Sequence, residues 1–166
     1  STDMVLLYGG GHHRTPYTWD KERVSSYIRY VDTDNQSHWL FDSFLFLEIM
    51  DTGTGGANKM FAKGYNLESA NQADWTKLID YYFQSETGIG ALDASVKEAS
   101  AILGTPRQKR QIVISIPEPI VYQHPEQASS STKYWGKIDN QTLDFSNSAD
   151  RIKACKWYID QVRAKF

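Results

Sequence analysis

Two glutamates stand where this sequence could do acid–base chemistry. In "RQIVISIPEPIVY" (residues 110–122) an apolar strand ends on Glu118, which lies between Pro117 and Pro119. The prolines bias Ile116 and Glu118 away from helical angles and remove two backbone donors. The carboxylate is therefore expected on a stiff, extended segment at the strand's C-terminal tip. Glu48 is the natural partner, near the end of "FLFLEI" (residues 44–49). A carboxylate in so apolar a strand must be paired, hydrogen-bonded or protonated. Two carboxylates flanking a bond are the minimum for glycoside hydrolysis, one as acid and the other as nucleophile or base. The plainer readings are a strand terminator for Glu118, pointing to solvent or capping a loop, and a structural ion pair for Glu48, with Arg14 as its cation.

The turn "YGGGHHRTPY" (residues 8–17) follows the first apolar run. A dinucleotide fingerprint would need glycine where Arg14 stands, and no phosphate-loop Lys-Ser/Thr follows. His12 and His13 are adjacent, so in extended backbone they point apart, which is a poor start for chelation; no metal and no cofactor are expected. Hydrogen bonding to substrate by His12, His13 and Arg14 is the functional alternative to a structural turn. Aromatic residues crowd the same kind of loop: Tyr8, Tyr17, Trp19, Tyr122, Tyr134 and Trp135. Sugar rings stack on such side chains. Tyr8 and, in "KYWGK", Trp135 are the candidates, whereas Trp75 and Trp157 read as helix core.

The elements that would position these residues alternate. Met4–Tyr8, Ser43–Ile49 and Gln111–Ile116 read as parallel strands, apolar on both faces. Four amphipathic helices are expected. The first follows Thr18 and presents Val24, Tyr27, Ile28 and Val31. The second follows Asn71 and presents Trp75, Leu78, Ile79 and Tyr82. The third presents Leu92, Val96, Ala99 and Leu103 before Gly104. The last starts near Asn147 or Ser148 and carries Ile152, Cys155, Ile159, Val162 and Phe166. This order predicts an α/β fold of parallel-strand (β/α) units, read as one domain over residues 1–166 and as the N-terminal part of a (β/α)8 TIM-type barrel. A small open doubly wound domain is the rival. The connections leaving the strands are the long ones, and sites in α/β folds gather at that end.

Composition narrows the classes. With 40% apolar and 13% aromatic residues, the 166-residue chain has material for a core. A net charge of −2 and a pI near 6.1 give no footprint for nucleic acid. No apolar run reaches the ~18 residues of a membrane helix. One cysteine, Cys155, excludes an internal disulfide.

The segments "MVLLYGGGHHR", "HWLFDSFLFLE", "ADWTKLIDYYF", "VISIPEPI" and "DRIKACKWYIDQV" resemble, in order, the bacterial family of Bacteroides-type organisms known as domain of unknown function 4855. The resemblance implies a secreted, periplasmic or envelope-associated, glycosidase-like (β/α) barrel acting on polysaccharide. It implies too that family members are longer than this chain. Only Glu48, Glu118 and the Gly-Gly-Gly-His-His turn carry over.

The expectation is thus a glycoside-hydrolase-like domain with Glu118 and Glu48 as the carboxylates. The alternative is a non-catalytic carbohydrate-binding or interaction module on the same scaffold. A metal-dependent hydrolase using His12 or His13 is the weaker third reading. A half-barrel would expose a strand edge, to be covered by a second copy or by the remaining part of the barrel.

Overall fold

A computed structural model describes residues 3–9, 18–51, 59–64 and 66–166. In chain order the elements are β1 (Met4–Gly9), α1 (Lys21–Ser25), β2 (Arg29–Val31), β3 (Ser37–Trp39), β4 (Ser43–Glu48), β5 (Met50–Asp51) and β6 (Lys59–Met60). There follow α2 (Gln72–Phe83), α3 (Gly88–Leu103), β7 (Gln111–Ile114), β8 (Lys137–Ile138), β9 (Gln141–Thr142) and α4 (Ser148–Arg163). The fold is mixed α/β around a parallel three-stranded sheet of order β1-β4-β7. β4 and β7 pair from Ser43↔Gln111 to Phe46↔Ile114. Among the described residues this sheet does not close on itself, and no helix is long and apolar enough to cross a membrane.

Two compact units share the chain. The first holds residues 3–8, Thr18–Leu47 and Tyr81–Ser115. Its core joins Leu7, Phe44 and Phe46 of the sheet to Val24 and Ile28, to Tyr82, and to Ile89, Ala91, Leu92 and Ala99 of α3. Gly88 has a φ of +54°, which opens α3 with a backbone angle that other residues rarely adopt. Arg110, whose side chain is 7% exposed, pairs with Asp42 at 3.0 Å and lies over the Trp39 ring.

The second unit holds Gly9, Glu48–Asp80 and Ile116–Phe166. Apart from helical stretches of α2 and α4, its described residues follow β4 and β7 along the chain, with Gly9 and Glu48 as strand ends. Its core is aromatic. Trp75 packs edge-on against Trp135 and Tyr158, with ring centres 5.2 and 5.7 Å apart, and Trp135 also meets Phe145 and Trp157. At the start of α2, Asn71 and Asp74 cap reciprocally, each side chain accepting the other's backbone N–H. β8 and β9 form a hairpin whose two-residue turn, Asp139–Asn140, has φ of 50° and 62°, the type I′ geometry.

Three expectations need correction. The helix expected through Val31 stops at Ser25, with Asp20 as its cap rather than Thr18. Arg29–Val31 instead pairs with Ser37–Trp39. Asp32 organises the turn between them, its Oδ1 accepting the N–H groups of Asp34 and Gln36. The apolar stripe of α4 is not its buried face: Ala154 and Tyr158 are buried, while Ile152 is 54% and Phe166 77% exposed. The large rings at Trp157 and Tyr158 find aromatic partners that the aliphatic stripe lacks. Finally, β1 is not buried on both faces, since Met4 and Leu6 are half exposed.

Candidate functional site

Glu118 is held by three hydrogen bonds. Its backbone N–H donates to the Phe61 carbonyl at 2.7 Å, and its carbonyl accepts the Ile120 N–H at 2.9 Å across Pro119. Its Oε2 accepts the Lys63 backbone N–H at 2.7 Å. Pro117 is buried and Glu118 exposed, so the Pro-Glu-Pro segment anchors one residue and presents the next. The prolines cannot donate, which leaves the Glu118 amide as the one backbone donor of the Pro-Glu-Pro segment.

The presented carboxylate lines an open groove of about 580 Å³ in the second unit. Pro119, Ile120 and Tyr122 supply its apolar walls, and Lys63 and Arg151 bring two cations. Arg151 reaches it from α4, one N–H donating to the Phe145 carbonyl. Tyr134 braces the floor from behind, its hydroxyl donating to the Ile120 carbonyl at 2.6 Å. Burial pushes the Tyr134 hydroxyl's pKa well up, and the Glu118 charge adds to the rise. Beside the groove, Glu68 accepts from Lys59 and from Gln123, and these bonds, the Lys59 one foremost, hold its carboxyl below the usual range.

Glu48 ends β4 half-buried in the same unit. Its carboxylate occupies the space where a side chain at Gly9 would be. The Tyr158 hydroxyl is pushed up in pKa mainly by burial and further by the Glu48 charge. A row of backbone hydrogen bonds connects the two glutamate segments. Ile49 N–H donates to Gly9 O, Phe61 N–H to Ile49 O, and Glu118 N–H to Phe61 O. Two rungs of ~4.8 Å put the Ile49 and Glu118 backbones at most roughly 10 Å apart.

Other expected site residues fare differently. Tyr8 is half-buried, its carbonyl accepting the Trp19 indole N–H at 3.0 Å. Trp135 is 1% exposed, clamped among the rings of the aromatic core. A ring with both faces packed has none to offer a sugar, so the stacking role expected of Trp135 is not available to it. His12, His13 and Arg14 lie outside the described residues. Among the described residues no group of three His, Cys, Asp or Glu side chains is placed to hold a metal. Lys63 and Arg151 were not legible as site residues. The faint signal was Lys63 next to Gly64 in a long loop following a strand.

No curated protein and no solved structure matches the chain. A family model described as "Domain of unknown function (DUF4855)" matches residues 3–166. The chain that holds Glu118 over this groove therefore belongs to the DUF4855 family.

Proposed function

We propose that this chain is a carbohydrate-active domain of glycoside-hydrolase type, built on part of a (β/α)8 barrel and acting on polysaccharide at or beyond the cell envelope. The observation that carries the reading is Glu118: a residue held by two backbone hydrogen bonds, its carboxylate by a third, on a proline-stiffened strand end, facing an open groove of sugar-binding size. In this mechanism Glu118 protonates the glycosidic oxygen as the bond to the leaving sugar breaks. Glu48 is the second carboxylate, activating water or attacking the anomeric carbon. The two-rung backbone spacing is what supports the pairing. The Glu48 carboxylate itself lies over Gly9, one rung further from Glu118, and outside the lining of the groove, so it takes this role by turning toward Glu118 when substrate binds. Tyr122 and the prolines offer the apolar surface that sugar CH faces need, the part that the buried Trp135 cannot play.

The test is release of reducing ends from a panel of polysaccharides by the chain and by Glu118→Gln and Glu48→Gln, with binding followed in parallel. The proposal expects each variant to lose turnover by at least ~10³-fold while keeping most of its glycan affinity. Undiminished turnover in Glu118→Gln would refute the assignment. Binding without turnover in the parent chain would make it a recognition module.

A further inference from the structure

We infer that the groove takes an acidic glycan, a sugar bearing a carboxylate or sulfate held by Arg151 and Lys63; this rests on the reading of the groove as a sugar site. The whole chain is slightly acidic, at −2, yet the groove sets two cations against one carboxylate. Some cations of the second unit have acidic partners, such as Lys59 with Glu68, Lys153 with Asp150 and Lys165 with Asp80, while others, such as Lys77 and Lys156, have none among the described residues. What sets Lys63 and Arg151 apart is that both line the same groove. Among the described residues neither Lys63 nor Arg151 has a carboxylate at ion-pair distance. Glu118 meets Lys63 through the backbone, its Oε2 accepting the Lys63 N–H, and the two side chains are not at ion-pair distance. The acid next to Arg151 in sequence, Asp150, is engaged by the Asp144 N–H and by Lys153.

With a neutral sugar the groove would keep an excess of one positive charge over Glu118. An acidic one offsets it. After its bond to the Phe145 carbonyl, Arg151 keeps the greater part of its planar donor fork, which fits the two oxygens of a carboxylate or sulfate. Lys63 adds a mobile point charge beside the Glu118 segment. The anion is thus recognised beside the scissile bond, which orients the ring against Glu118.

Calorimetric titration of the chain tests this with three probes: an oligogalacturonate, its fully methyl-esterified form, and a sulfated galactan oligosaccharide. The expected result is that one of the two anionic probes binds at least about tenfold tighter than the neutral ester. That gap should close in Arg151→Gln and in Lys63→Gln and persist in part in Arg151→Lys. Lys63 is exposed, so its variant reports even where Arg151→Gln, having lost the Phe145 contact, folds poorly. The carboxylate and sulfate arms identify which anion is read. Equal affinity for acid and ester, or a gap that neither variant narrows, overturns the inference. If the neutral ester binds and is cleaved with dependence on Glu118, the sugar-site reading stands while the charge inference falls. If no probe binds, and no polysaccharide is turned over, both fall.

Discussion

Replacing Gly9 by alanine should disable the site while leaving the fold almost untouched. A Cβ built on Gly9 lies 2.0 Å from Glu48 Oε2 and 2.2 Å from Oε1, where ordinary contact begins near 3.4 Å. The carboxylate must therefore retreat by somewhat more than about 1 Å. The obstacle is the tip of a side chain and not backbone, so the strand can stay in place. Moving Glu48 off its rotamer costs ~0.5–1.5 kcal/mol. The lost flexibility of glycine in the unfolded chain returns ~0.5–1 kcal/mol. Glu48 also gives up an interaction with a neighbour, worth about 1 kcal/mol, so net stability should fall by about 1–2 kcal/mol, as read from urea denaturation. Misplacing a reacting carboxylate by 1 Å costs on the order of 10²-fold in turnover. In a Glu48→Gln background the same substitution should cost almost nothing further, because both act through one carboxylate. Full turnover in a folded Gly9→Ala chain would refute the use of Glu48's position. Destabilisation beyond about 3 kcal/mol would refute the claim that the carboxylate can step aside.

Gly90→Ala should behave in the opposite way, because its Cβ would collide with the backbone carbonyl of Gln84; a stability loss of ~1–3 kcal/mol is expected by denaturant titration. Arg110→Ala removes a buried guanidinium from Asp42 and from the Trp39 face, and should cost ~2–3 kcal/mol in the same assay, discounted because the Asp42 side chain keeps 27% exposure. Asp144 is held at a pKa of about 2, chiefly by the Ser146 hydroxyl, with Thr132 next. Its folded pKa lies below the unfolded value, so its contribution is present above pH ~4 and fades as the pH falls toward ~2. Asp144→Asn should therefore flatten the dependence of the melting temperature on pH between about 4 and 2, and leave it unchanged above that window.

Local sequence made some elements legible because their signals were redundant. In α2 the spacing of Trp75, Leu78, Ile79 and Tyr82 agrees with the Asn71 cap, and all four are buried. In α3 the stripe ends on Gly104, whose φ of +77° stops the helix. In β4 and β7 the continuous apolar runs led to a parallel pair. The errors arose where one period had two readings. Val24, Ile28 and Val31 fit a helix, but the Asp-rich turn at residues 32–36 lets the backbone of residues 29–31 pair as a hairpin. In α4 the aliphatic stripe was the louder pattern, yet aromatic partners far away in sequence decided which face went inside. Trp135 failed for a related reason. A Ser-rich neighbourhood reads as a surface loop, whereas the post-strand segments fold around a core of their own. Glu118 was visible because two prolines act locally on the backbone. Its cationic companions were not, since Lys63 and Arg151 come together only through tertiary structure.

The way the two units share the chain has a consequence for synthesis. The first unit is complete once Ser115 has emerged, whereas the second waits for the segments beyond it. Its groove needs Arg151, and its aromatic core needs Tyr158, both on α4. A nascent chain can thus bury Phe44 and Phe46 while Trp75 still lacks the rings that cover it. Vectorial folding favours closing the sheet-bearing unit first and the Glu118 groove last. The loop-closure cost of joining residues 48–80 to residues 116–166 then falls on the final step.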